Sequence, residues 1–179
     1  MKFVRFLADG AIRAGVVNDE VIREIEGNMF ADWDYTGNVF RYDRVSLLAP
    51  LAPRHVIGIG ANYAASHEQL PAEMPDIPVF FFKPSSSVVG PEAEVVIPSA
   101  AGEVKFESEL AVVISKEAKQ VSEEEVWAHI FGYTVANDVT APQFFHPDGH
   151  WTAGKSFDTF TPLGPVIETE LGLILGPYR

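Results

Sequence analysis

With 179 residues and an ordinary globular composition, the chain can build one good core and has room for a small accessory domain. Its formal net charge of −12 disfavours nonspecific binding to nucleic acid or to anionic membranes. The lack of cysteine excludes a disulfide framework, a zinc–thiolate site and a thiol nucleophile. No apolar stretch approaches the roughly 18 residues that span a bilayer. The start, Met1-Lys2-Phe3-Val4-Arg5-Phe6, has no signal-peptide apolar region, and a cytoplasmic location is expected.

The first segment, 1–49, reads as a small β-meander domain. Lys2–Ala8 is strand-like, Asp9-Gly10 is a hairpin turn signal, and Ala11–Val17 returns. Asn18-Asp19 turns again into Glu20–Ile25. From Glu26 to Arg44 the chain is aromatic and polar without clear period. Pro50 and Pro53 mark a boundary, and 50–179 forms the second unit. Val56–Ile59 reads as a short buried strand. Pro71 and Pro75 forbid one long helix across the lid-like stretch Asn62–Asp76. Val79–Phe82 is strand-like; Ser85–Ser87 and Gly90-Pro91 are loop.

Phe106-Glu107-Ser108-Glu109-Leu110-Ala111-Val112-Val113-Ile114 reads as a buried strand with a β-branched second half. Ser122 and Glu125 make a capping box for a helix over Val121–Ile130, with Val121 and Val126 as its staple and Gly132 as its stop. Tyr133–Ala136 is another buried strand, leading to Asn137-Asp138. Val139–Asp158 is mostly loop, and a last apolar strand lies near Val166–Ile167.

Glu107 and Glu109 carry the chemistry. On a strand, residues i and i+2 share a face, so the two carboxylates project together, roughly 7 Å apart. Two like charges beside a core demand compensation, and a hard divalent cation bound by oxygens supplies it. A half-exposed strand with two solvated glutamates is the competing reading. Asp138, at a strand end, could complete an oxygen site for Mg²⁺, Mn²⁺ or Ca²⁺; alone, it reads as a turn or cap residue.

Other motifs carry less. Gly58-Ile59-Gly60-Ala61-Asn62-Tyr63 lacks the third glycine of a dinucleotide loop. Ser85–Ser87 have no nucleophile-elbow setting. His67, Lys83 and Lys155 are surface residues by default. Pro147 and Gly149 break the helix that would make a metal face of His146 and His150.

Taken together, five stretches resemble the fumarylacetoacetate hydrolase family. They are Ile57–Tyr63, Phe82-Lys83-Pro84-Ser85-Ser86, Phe106–Ile114, Gly132–Thr140 and Lys155–Pro165, in the family's order. The resemblance implies an α+β, β-rich fold: a mixed β-sandwich roll behind a small N-terminal β domain, expected as a homodimer. It also implies a divalent metal, Mg²⁺ first, on residues matching Glu107, Glu109 and Asp138. Lys155 matches a lysine near the metal and substrate oxygens, and Lys83 and Tyr63 match positions near the substrate. His67 lies near the family's lid histidine, whose glutamate partner falls at Leu70; Glu68 or Glu73 would have to serve, and Glu73 is the expected partner.

The family acts on small anionic 2-oxo or 1,3-dicarbonyl acids. Its members hydrolyse carbon–carbon bonds in acylpyruvates, isomerise 2-oxo-dienoates or decarboxylate oxaloacetate. The resemblance thus implies a C–C bond hydrolase or an isomerase working through a metal-stabilised enolate. Two residues depart from the pattern: His67 is four places after Tyr63, and Pro142 stands where an arginine is common. The ending Leu171–Arg179 does not resemble the family's continuation, so a C-terminally truncated roll is expected, with exposed edges and apolar surface. An inactive metal-binding fragment is the alternative this raises.

Overall fold

A computed structural model describes residues 1–63 and 76–171; of the expected lid Asn62–Asp76, residues 64–75, with His67, Glu68 and Glu73, lie outside them. The described chain is mostly β-sheet. The N-terminal strands are β1 (Lys2–Ala8), β2 (Ala11–Asn18), β3 (Val21–Gly27), β4 (Trp33–Arg41) and β5 (Ser46–Leu48). Then come β6 (Val56–Gly60), β7 (Val79–Lys83), β8 (Val88–Val89), β9 (Ser108–Ile114), β10 (Ile130–Asn137), a four-residue helix α1 (Thr152–Lys155) and β11 (Thr161–Glu168). No helix among the described residues is long and apolar enough to cross a membrane.

One sheet runs β4-β3-β2-β1-β11-β10-β9, with β5 on β1 and β8 on β11; β6 and β7 form a separate hairpin. The meander follows its turn chemistry. Asp9 and Gly10 both take positive φ, 51° and 73°, the two-residue turn whose twist suits a hairpin. The second turn falls one residue later than its Asn-Asp signal, because Asn18 still pairs with Val21. The meander joins the rest through β1, where Lys2 and Phe3 pair with Glu168 and Ile167 of β11. The N-terminal ammonium adds contacts to Glu168 at 3.2 Å and Glu170 at 3.3 Å.

The core crosses the Pro50 boundary too. Phe3, Val16, Ile25 and Met29 pack with Val113 and Ile167, and Phe3 sits 5.2 Å from Phe131. A second cluster of Val4, Phe6 and Ile22 lies beneath Phe40 and Leu47. A third, Val139, Ala141 and Phe160, supports the loops after β10.

Three expectations need correction. The helix expected over Val121–Ile130 is only a 3₁₀ turn, Val126–His129. Its capping box does form: Ser122 N donates to Glu125 Oε2 at 3.1 Å, and Glu125 N donates to Ser122 Oγ at 3.3 Å. A short segment cannot repay helix nucleation, and Ile130 is taken by β10, where it pairs with Ile114. The aperiodic stretch after Glu26 contains β4, whose residues are almost all exposed, so no alternation marked it. Val139–Asp158 is mostly loop as expected, with α1 a single turn within it.

The third correction concerns burial. β6 and β9 are not buried strands, and β10 is only partly so: Ile57 is 56% exposed, Val112 48% and Val135 56%. One face of β9 and β10 shows Leu110, Val112, Ile114 and Val135, and the outer face of the β6/β7 hairpin shows Ile57, Ile59, Phe80 and Phe82. Contiguous apolar faces of this kind are exceptional on a protein surface.

Buried Glu24 locks the meander. Its carboxylate accepts from Arg13 Nη1 at 2.5 Å, Thr36 Oγ1 at 2.8 Å and Asn38 Nδ2 at 2.7 Å. The Asn38 and Arg13 hydrogen bonds hold its pKa below the ordinary carboxylate value. The charged form is therefore favoured in the fold. This contribution is present above the unfolded-state pKa and lost as pH falls through the depressed folded-state value. Glu24→Ala is expected to cost about 2–3 kcal/mol at neutral pH. Urea unfolding checks this, and the deficit should shrink on acidification.

Candidate active site

β9 and β10 bring the acidic residues together. The strand assignment begins at Ser108, yet pairing continues one residue back: Asp138 N donates to Glu107 O at 2.9 Å, and Glu107 N to Asn137 Oδ1 at 3.1 Å. Glu107 thus lies beside Asp138, just past the end of β10, and Glu109 sits opposite Ala136. All three acids line one cavity of about 350 Å³, together with Tyr63, Phe81, Phe145, Trp151 and Lys155.

Both lysines are buried at 4% exposure, which corrects the surface default. Lys83 ends β7, and its Nζ donates to Asp138 Oδ1 at 2.6 Å and Val139 O at 3.3 Å. Lys155 comes from α1, which docks where Ala141 N meets Gly154 O at 2.8 Å. A Cβ on Gly154 would strike the Ala141 carbonyl oxygen and the Phe145 ring, so glycine permits the docking. The Lys155 ammonium donates to Asp138 Oδ2 in a short contact, to Glu107 Oε2 at 3.0 Å and to Thr140 Oγ1 at 2.9 Å. It also lies 4.5 Å from the centre of the Phe81 ring. Thr140 Oγ1 in turn donates to Asp138 O at 2.9 Å.

Asp138 therefore carries an ammonium on each oxygen. Burial is the largest influence on Lys83 and pulls its pKa below the ordinary lysine value, against the opposing pull of Asp138. Glu109 is the acid left over. Burial pushes its pKa up, and the nearby Asp138 and Glu107 add to this; a hydrogen bond with Tyr63 opposes it. The Tyr63 hydroxyl also accepts from Leu110 N at 3.3 Å.

The donor chemistry suits a hard cation: three carboxylates line one cavity, and Glu109 has no ion-pair partner among the described residues. As the side chains stand, no group of three acidic or histidine side chains among the described residues is close enough to hold one ion. The cation between Glu107 and Asp138 is the Lys155 ammonium.

The cavity's aromatic residues Phe81, Phe145 and Trp151 carry no motif in the sequence. Trp151 stacks 5.9 Å from Phe145 at an interplanar angle of 24° and lies 5.9 Å from Phe81. The glycines of the rejected dinucleotide motif explain the fit. A Cβ on Gly58 would collide with the Phe81 ring, and one on Gly60 with Trp151. That pairing of small residues with rings was the available signal. His146 and His150 make a loop contact, His146 N to His150 O at 2.9 Å, and neither lines the cavity.

A β-rich scaffold carrying paired acids and buried lysines at its strand ends matches known proteins. The family described as fumarylacetoacetate (FAA) hydrolase C-terminal covers residues 55–173, and the Rv2993c-like N-terminal family covers 1–50. The chain belongs to the fumarylacetoacetate hydrolase family. An uncharacterised protein of Archaeoglobus fulgidus is 39% identical over 163 residues, covering 91% of this chain and 62% of its own length. An oxaloacetate tautomerase of Xenopus laevis, fahd2, is 41% identical over 140 residues, covering 76% of this chain and 44% of the relative.

Among solved structures, a 5-carboxymethyl-2-hydroxymuconate delta-isomerase from Mycobacterium smegmatis has TM-score 0.87 and 35% identity, over 96% of this chain and 68% of that one. A maleylpyruvate hydrolase from Sphingobium sp. SYK-6, in complex with manganese(II) and pyruvate, has TM-score 0.69 and 28% identity, over 95% and 67%. The chain spans about three-fifths, or less, of the curated relatives it matches.

Glu109 yields a signed prediction. A carboxyl with a raised folded-state pKa favours folding below its unfolded-state pKa, and that advantage disappears as pH rises through the folded value. Glu109→Gln should therefore raise the Tm of metal-free protein at neutral pH. The gain should shrink towards zero as pH falls below the ordinary carboxylate range. A calorimetric melting series over pH checks it.

Proposed function

We propose that this chain carries the site of a divalent-metal-dependent enzyme acting on 2-oxo or 1,3-dicarbonyl acids, by C–C bond hydrolysis of acylpyruvate-type compounds or by isomerisation. The observation that carries the proposal is the convergence of Glu107, Glu109 and Asp138 with Lys155 on one cavity. The family membership and the manganese–pyruvate complex of a relative point the same way. Relatives bearing isomerase, hydrolase and tautomerase names share an enolisable oxo acid as reactant, which is why one site can serve several outcomes.

Glu107, Glu109 and Asp138 would hold the ion, Mg²⁺ first and Mn²⁺ as its close substitute. When bound, it supplies Lewis acidity towards the oxo and carboxylate oxygens of the substrate. Lys155 answers to the negative charge that grows on the substrate oxygen as a proton or acyl group leaves. Its anchorage to Thr140 and Asp138 fixes the ammonium before substrate arrives. Lys83 holds the other oxygen of Asp138 and so orients that carboxylate. Tyr63 contributes a hydroxyl at the rim. His67, with Glu73, is assigned the proton transfers.

The span of only about three-fifths of the relatives' length favours a second reading, metal binding without turnover. One assay separates them. With Mg²⁺ or Mn²⁺, acetylpyruvate should be consumed, and Glu107→Ala should lower kcat/KM at least 100-fold, in the range of an electrostatic catalytic group. Saturable Mn²⁺ binding with no turnover would favour the second reading.

A further inference from the structure

The cavity has two chemically different halves. Its acidic half is Glu107, Glu109 and Asp138, with Lys155 as the only cation lining it among the described residues. Its other half is aromatic: Phe81, Phe145 and Trp151. Phe81 is 7% exposed and closed against Gly58. Trp151 is held between Gly60, Phe81 and Phe145. These rings form a fixed wall, because their backs are packed and the two glycines leave no slack.

A 2-oxo acid held at the acidic half would place the remainder of its carbon chain against this wall. Rings offer a face to a planar or apolar group. A second carboxylate there would lose hydration and face three acids, with Lys155, already bound to Asp138 and Glu107, as the only cation among the described lining residues.

Resting on the function proposed above, we infer that Phe81, Phe145 and Trp151 set substrate choice. They favour 2-oxo acids with a planar, apolar tail over those ending in a second carboxylate. Trp151 is the specificity-determining residue, with Phe145 stacked behind it. Acylpyruvates with aryl or alkyl acyl groups would then be better substrates than oxaloacetate.

The test is equilibrium binding by calorimetry in Mn²⁺ buffer, with phenylpyruvate, pyruvate and oxaloacetate as probes. The wild-type protein should bind phenylpyruvate about tenfold more tightly than pyruvate, and oxaloacetate no more tightly than pyruvate. Trp151→Ala should reduce the phenyl preference to within twofold and leave pyruvate affinity unchanged. Phe145→Leu, which keeps an apolar side chain, should reduce it partially and serves if Trp151→Ala fails to fold. Tightest binding of oxaloacetate, an equal loss for all three probes in both variants, or no binding of any probe would overturn the inference. Preferential binding of phenylpyruvate without turnover of any oxo acid would support it while contradicting the proposed activity. Turnover without the preference would contradict this inference alone.

Discussion

The Asp138 carboxylate, held between two buried ammonium groups, is the interaction on which the site depends. Lys83 arrives from the β6/β7 hairpin, Lys155 from α1, and Asp138 from the end of β10. Three separate pieces of chain therefore meet at one charged centre. Burying such charges is expensive, and removing one partner strands the others. The arrangement thus fixes the hairpin and α1 against the main sheet, and the cavity lies between them. Two ammoniums against Asp138 and Glu107 also leave Glu109 as the acid without an ion-pair partner among the described residues.

The scaffold explains why these groups converge. The sheet passes from the meander through β1 to β11, β10 and β9, so Phe3 and Val16 pack with Val113 and Ile167 in one core. That core secures β9 and β10, whose ends carry the acids. Support for α1 comes from below, through Val139, Ala141 and Phe160. The outer faces of β9/β10 and of β6/β7 stay apolar and open. The relatives are longer than this chain.

Much of this was legible in the sequence because it rests on local rules. β1 and the Asp9-Gly10 turn follow from alternation and turn chemistry. The Glu-x-Glu spacing and Asp138 at a strand end place the acids in one cavity. What failed was set by distant residues. Ser122 and Glu125 do cap each other, but the sheet claims Ile130, and the helix never extends. β4 is exposed along most of its length, so it shows no pattern. Lys83 and Lys155 look like surface residues until folding brings Asp138 to both. Trp151 and Phe145 sit in a loop without period, and only their fit against Gly60 and Gly154 gives them away.

The most direct test is a calorimetric titration of Mn²⁺ into wild-type protein and Asp138→Asn. If the acids form one cation site, the wild-type protein takes up a single ion saturably, and the substitution weakens binding by at least tenfold. Equal affinity in the two proteins, or no uptake by the wild type, would contradict the account.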